Sequence, residues 1–239
     1  MASILRYLND YSNPNSIGSK MRAKRMKRIK DLVEEILAEK NKATILDIGG
    51  LLQYWMLLEP EIAECCTIIV LSDEPQEETF SDLADKFAGK AEFRSGDACD
   101  LSEYGDDEFD LAHSNSVVEH VGNFLRKQQF ASETQRVGRN YYVQTPNLWF
   151  PIDPHYMLPI VHWLPAPYRF KRLTYKGLGA GTPPMHDYAK AANYIEHTDL
   201  LDKELFLHLF PECEFYEEKV GPLVKSFVGI RRQSKIQSA

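Results

Sequence analysis

One heptapeptide, Thr44-Ile45-Leu46-Asp47-Ile48-Gly49-Gly50, limits the fold more than any other stretch. Apolar Ile45, Leu46 and Ile48 surround a single carboxylate, the pattern of a buried strand, and two glycines follow at once. Glycine reaches backbone angles closed to other residues, so the chain can turn sharply there and pass close to a ligand. From Leu51 to Glu59 the side chains are long or aromatic, with no breaker before Pro60, which predicts a helix just after the turn. Strand, glycine turn and helix in that order open a nucleotide-binding α/β unit.

Glycine spacing separates the ligand classes that use such an opening. A dinucleotide fingerprint has glycine at its first, third and sixth positions. Counted from Gly49, this chain has Leu51 third and Tyr54 sixth, so it carries no NAD fingerprint. A Walker loop is excluded as well, since no Gly-Lys-Ser/Thr follows. The run Leu46-Asp47-Ile48-Gly49-Gly50-Leu51 resembles motif I of the class I S-adenosylmethionine-dependent methyltransferases of small-molecule type, whose pattern is apolar-apolar-Asp-x-Gly-x-Gly. Leu51 replaces the second spaced glycine of that pattern, and Gly50 comes one place early.

At 239 residues the chain fits one α/β domain, a size that buries roughly 70% of its unfolded surface. Its net charge of -7 argues against generic nucleic-acid binding. No stretch reaches the roughly 18 apolar residues of a membrane span, and the N-terminus lacks a long apolar core, so a cytoplasmic protein with no membrane partner is expected. Cys65, Cys66, Cys99 and Cys213 form no Cys-x-x-Cys pair and are expected to be reduced thiols.

Taken in order, the chain alternates helices and strands up to residue 147 and departs from that pattern beyond it. Polar Tyr7 to Ser19 has loop composition, and Met21, Met26, Ile29, Leu32, Val33, Ile36 and Leu37 then set an apolar stripe at helical spacing. Seven basic residues lie between Lys20 and Lys30. They form either a solvated helix face or an anion site in which Arg22, Arg25 or Arg28 pairs with a carboxylate or phosphate. Cys66 to Leu71 is β-branched and apolar, the second strand, and Asp73 and Glu74 follow, 26 and 27 residues after Asp47. Nucleotide folds place a ribose-binding carboxylate there, and either acid meets the requirement.

The third strand, Ala91 to Arg94, runs into Ser95-Gly96-Asp97-Ala98, which resembles the family's adenine-contacting motif. That resemblance implies that Asp97 accepts from the adenine amino group and that the Ala98 N–H donates to a ring nitrogen. Phe109 to His113 is the fourth strand, and Ser114-Asn115-Ser116-Val117-Val118-Glu119-His120 resembles the family's fourth-strand segment, with Ser114 and Asn115 at the cofactor's amino-acid part and a helix starting at the Glu-His pair. A helix to Val137, stopped by Gly138, and a fifth strand from Asn140 to Gln144 complete the cofactor-binding half. Seven of the thirteen prolines and many aromatics fall between Leu148 and Asn193, the composition of an irregular substrate cap. Thr198 is placed to cap a helix from Asp199 to Phe210, and Glu214 to Lys219 and Val224 to Ile230 form a hairpin through Gly221-Pro222.

The expected architecture is therefore a Rossmann-like, doubly wound α/β fold: a mostly parallel seven-stranded sheet with a C-terminal antiparallel hairpin and an irregular cap. Its segments are an N-terminal helical part (1–43), a cofactor-binding core (44–147), the cap (148–197) and a closing helix with the hairpin (198–239). The resemblance implies S-adenosyl-L-methionine as cofactor, held by Asp47, Gly49, Gly50, Asp73 or Glu74, Asp97, Ala98, Ser114 and Asn115. It also implies methyl transfer to an oxygen or nitrogen, less readily a carbon, of a small-molecule acceptor, by a monomer or homodimer. In-line displacement needs no covalent enzyme intermediate, only orientation and removal of a proton where the acceptor carries one. His155 and Asp153 are the candidates for that base, against the plainer reading of a structural ring in an aromatic loop, and His120 is expected to pack a helix. Seven histidines without tight carboxylate or histidine spacing predict no metal site. Two alternatives stay open, an inactive cofactor-binding module and a methyltransferase acting on RNA, protein or lipid.

Overall fold

The heptapeptide forms a central strand. In the computed structural model, which describes residues 15–50, 52–73, 87, 90–178 and 182–233, β1 (Ala43–Ile48) is buried at five of its six positions. On one side it pairs in parallel with β2 (Cys66–Ser72), Ala43 opposite Cys66, and β2 pairs in parallel with β3 (Ala91–Ser95). On the other side lies β4 (Phe109–Asn115), then β5 (Gly138–Pro146), both parallel to it. The antiparallel hairpin β6 (Glu214–Val220) and β7 (Leu223–Arg231) adds to β5, giving the order β3-β2-β1-β4-β5-β7-β6. Succession reverses between β1 and β4, and in open α/β sheets such a reversal opens a crevice at the carboxyl ends of the strands.

Each sheet face carries its own core. α1 (Ile17–Lys40) buries Met26, Ile29, Leu32, Val33 and Ile36 against Ile45, Ile68, Trp55 and Tyr142. Each of these apolar side chains contributes roughly 2 kcal/mol when fully buried. α3 (Phe124–Val137) and α6 (Lys203–Leu209) cover the opposite face, where Phe130, Val137, Phe206 and Phe210 meet Leu46, Ile48 and Tyr141. All four cysteines are free thiols. No helix among the described residues is long and apolar enough to cross a membrane.

Four local expectations change. After the glycine turn the chain makes a 3-10 helix (Leu52–Leu57) and the single turn α2 (Pro60–Ala63), because the Trp55 indole is drawn back to Asp47. The helix after β4 starts at Phe124, capped by the Asn123 side chain on Arg126 N, and Val117 to His120 forms a turn instead. Asp202 rather than Thr198 caps α6, its Oδ1 accepting from Leu205 N. The proline-rich cap is also less irregular than its composition predicts, since it holds α4 (Ala166–Lys176) and α5 (Tyr188–Glu196) around Tyr156, Leu173, Leu178 and Ile195. Pro165 and Pro167 sit at the start of α4, where a missing N–H breaks no helical bond.

The basic run lies on α1 and is largely spoken for by the protein itself. Arg25 pairs with Glu218 at 2.7 Å and donates to Ser226 Oγ at 3.1 Å, and Arg28 reaches the other oxygen of Glu218 at 3.3 Å. Lys27 pairs with Asp31 and Lys30 with Glu59. Burial alone would raise the Glu218 pKa, but the Arg25 charge and hydrogen bond, Ser226 and Arg28 together hold it below the ordinary glutamate range. A carboxyl depressed in this way stabilises the fold above its unfolded pKa, and the contribution is lost as pH falls through the lower folded value. Glu218→Ala is therefore expected to cost about 3 kcal/mol at neutral pH by stranding Arg25. In urea unfolding at a series of pH values the gap from the parent protein should close in acid; a gap independent of pH would contradict the assignment.

Candidate active site

The carboxyl ends of β1 to β4 surround a cavity of about 600 Å³ whose walls include Gly49, Asp73, Asp97, Ala98, Ser116, Val117, His120 and His197. Gly49 takes φ +67°, and a Cβ there would stand 2.7 Å from the Val117 methyls, so the turn needs glycine for both its angle and its room. Gly50 is glycine for another reason: a Cβ would fall 1.7 Å from Asp47 Oδ2. The close approach that these glycines permit is thus to the protein's own side chains.

Asp47 is fully buried and turned away from the cavity. Its Oδ2 accepts from the Trp55 indole at 2.7 Å, and its Oδ1 lies 2.6 Å from His113 Nδ1. The His113 ring is stacked between Tyr54 and Tyr142, with centroids 5.3 and 5.4 Å away. Where β4 ends, Ser116 adopts φ +59°, a left-handed conformation costly for a non-glycine residue, and its Oγ donates to Gln144 Oε1 at 3.0 Å. This bend brings Val117 and His120 into the cavity wall.

Of the residues expected to hold the cofactor, Gly49, Asp73, Asp97 and Ala98 line the cavity together. Asp47, Gly50, Ser114 and Asn115 are not among its walls: Gly50 backs onto Asp47, Ser114 is fully buried, and Asn115 accepts from Arg25 at 3.4 Å. Glu74 and Leu51 lie outside the described residues. Asp97 Oδ1 accepts from Arg126 at 2.7 Å and from Cys99 N at 2.9 Å. The Arg126 bond, against the opposing effect of burial, holds its pKa below the usual aspartate range.

The expected base pair forms at the edge of this cavity. His155 Nδ1 lies 2.6 Å from Asp153 Oδ1, and the His155 backbone N–H donates to the same oxygen at 2.8 Å. Beyond the expectation, His155 Nε2 meets His120 Nε2 at 3.0 Å, while His120 Nδ1 reaches the backbone carbonyl of His197 at 3.1 Å. His120 is therefore a cavity residue and not a helix-packing one. Glu119 beside it is fully buried; its Oε2 accepts from Thr145 Oγ1 at 2.9 Å and its Oε1 has no partner among the described residues. Burial pushes the Glu119 carboxyl up to about 7. Burial, reinforced by the neighbouring His155 charge, pulls His120 down to about 4, whereas for His155 the Asp153 carboxylate outweighs burial and raises the pKa.

Ser116, His120, Arg126 and His197 were not singled out as site residues from the sequence. Ser116 and His120 fall inside the fourth-strand motif, and the partners of His120 come from segments 35 and 77 residues away.

Residues 55–140 match the family model of a methyltransferase domain. No curated protein sequence matches the chain. Among solved structures, the PH0226 protein of Pyrococcus horikoshii OT3 is 14% identical with a TM-score of 0.52, covering 96% of this chain and 98% of that one. Monomeric WbdD is also 14% identical with a TM-score of 0.52, over 86% of this chain and 40% of its own. A SAM-dependent methyltransferase from Methanosarcina mazei is 18% identical with a TM-score of 0.42, over 79% of this chain and 91% of that one. The first two similarities establish the shared fold. The matched segment starts at the Trp55 that anchors Asp47 and runs through β4 into β5, across strands that wall the cavity.

Proposed function

We propose that the chain methylates an oxygen or nitrogen atom of a small molecule that binds between the cofactor cavity and the 148–197 cap. The supporting observation is the contact of His120, a cavity wall, with His155 of the cap, which puts an imidazole at the cavity's edge. The cavity suits the cofactor in size, within the roughly 300–1,000 Å³ of small-molecule sites. Its chemistry suits it too: ribose hydroxyls and an adenine amino group are donors, and Asp73 and Asp97 are acceptors on the wall. When bound, the cofactor supplies an electrophilic methyl carbon on a cationic sulfur.

The rest falls to the chain's own residues. Asp73 receives the ribose hydroxyls, with Glu74 as the other candidate, and Asp97 and the Ala98 N–H receive the adenine edge. The turn at Gly49 and the bend at Ser116 shape the floor. Asp153 fixes the His155 tautomer and leaves Nε2 to meet the acceptor's proton, and the aromatic cap excludes water from the reacting atoms.

Thermal shift tests the cofactor half. S-adenosylmethionine and its demethylated product should stabilise the protein and NAD should not; stabilisation by NAD alone would sink the reading. Asp97→Ala should weaken cofactor binding by about 1–3 kcal/mol, the range for loss of a hydrogen bond to a charged group. An unchanged dissociation constant would move the adenine site elsewhere.

His155→Ala tests the acceptor half. Cofactor affinity should stay within about twofold while turnover falls about 10²-fold or more. Activity that declines only in step with a lowered melting temperature would mark the ring as structural, and binding without transfer to any acceptor in a labelled-methyl screen would make the chain an inactive cofactor module.

A further inference from the structure

Glu119, His120 and His155 meet in an arrangement that neutral side chains leave unsatisfied. An ionised carboxylate only accepts, so His155 Nδ1, 2.6 Å from Asp153 Oδ1, carries that ring's proton. A backbone carbonyl also only accepts, so His120 Nδ1, 3.1 Å from His197 O, is protonated too. Both rings therefore present bare Nε2 lone pairs, and these face each other at 3.0 Å. Glu119 supplies a third acceptor, since its buried Oε1 has no partner among the described residues. The ligand atoms of the three residues lie within 4.8 Å of one another.

We infer that Glu119 Oε1, His120 Nε2 and His155 Nε2 bind a divalent transition-metal ion. Bonds of 2.0–2.1 Å in a tetrahedral site set ligand atoms about 3.3 Å apart, so the two nitrogens need to separate by only a few tenths of an ångström. Metal-binding histidines almost always give their second N–H to a carboxylate or a backbone carbonyl, which orients the ring and fixes its tautomer. Asp153 and the His197 carbonyl provide one of each. Two imidazoles with one carboxylate form a borderline donor set that suits zinc, iron, cobalt, nickel or manganese, whereas calcium and magnesium take oxygen ligands. Three protein ligands leave a coordination position open, as catalytic zinc sites do. His120 lines the cofactor cavity, so the ion stands at its rim.

The ion's role rests on the proposed methyl transfer. A hydroxyl bound at the open position loses its proton to water more readily, because the cation stabilises the oxyanion left behind. That oxygen keeps the O–H electron pair and uses it to form the new O–C bond, while the pair of the S–C bond returns to sulfur. His155 then serves as a ligand and the ion does the work otherwise asked of a base. The acceptor atom is thereby narrowed to oxygen.

The test needs neither cofactor nor acceptor. Full-length protein stripped with EDTA is titrated with zinc chloride by calorimetry and with cobalt chloride by visible absorption. Uptake of one equivalent is expected, with cobalt bands of a four- or five-coordinate nitrogen and oxygen site. Asp153→Asn should weaken zinc binding about 10- to 100-fold. Glu119→Gln combined with His155→Ala should abolish it, with folding checked by circular dichroism. Should the double variant not fold, the parent cobalt spectrum and Asp153→Asn decide. No uptake, zinc binding indifferent to Asp153→Asn, or thiolate charge-transfer bands would overturn the site, and the rings would then be joined by a shared proton. Metal uptake without methyl transfer leaves the site standing and removes the function; transfer that survives EDTA with no uptake does the reverse.

Discussion

A fully buried acid at the end of β1, Asp47, holds the centre of this fold. Leaving such a group without hydrogen bonds is expensive, and Asp47 answers that cost with the Trp55 indole at 2.7 Å and His113 at 2.6 Å. The two bonds tie β1 to the 3-10 turn and to β4 at the point where strand order reverses. Other features follow from that knot. Gly50 must lack a side chain because the carboxylate fills its place, and Tyr54 and Tyr142 close on the His113 ring. The α1 side of the crevice is thus packed with protein. What stays open is bounded by Leu71, Val117 and Val121, which belong to or pack on the opposite core.

A second polar knot fixes the far edge of the sheet. Arg25 and Arg28 reach from α1 to Glu218 on β6, and Ser226 of β7 donates to the same carboxylate at 2.6 Å. Arg28 also lies over the Tyr216 ring, 5.0 Å from its centroid. A helix that looks like an anion-binding surface in the sequence is in part the clasp of the C-terminal hairpin. Nearby Lys225 shows the electrostatic consequence: burial, with help from the Arg25 charge, pulls its pKa down to about 8.

Strands were legible because β-branched and apolar runs bounded by polar or glycine turns carry a local signal, and β1, β2, β4 and the final hairpin lie within a residue or two of where those runs place them. Cap residues were less so. Thr198 and Asp202 are both competent N-caps, and only tertiary packing of Phe206 and Leu209 decides in favour of the later one. α4 buries Leu173 alone, so its apolar period is faint among prolines that turn out to start it. The motif I residues locate the glycine turn but not the partners of its acid, because nothing local says that Trp55 will claim the acid eight residues earlier. The Glu119, His120 and His155 cluster has no spacing to read; it exists only once β4 and β5 lie side by side.

The cap is built so that it can change without disturbing the sheet. It leaves at Asn147 and returns at Leu201, which form a bridge, and Leu148 N donates to Leu201 O at 2.9 Å. Both ends also grip one turn: Asp199 N donates to the Glu119 carbonyl, Lys127 of α3 pairs with Asp199, and the His197 carbonyl and the Asp153-His155 pair hold His120 from two sides. A segment clamped at its base varies in length at little entropic cost, since loop closure grows only slowly with the number of residues. Its interior, packed around Tyr156, Leu173 and Ile195, forms a small core of its own. Under the proposed function, acceptor choice would therefore be separable from cofactor binding, because the residues proposed to select an acceptor sit in the cap while those proposed to activate it sit at the clamp.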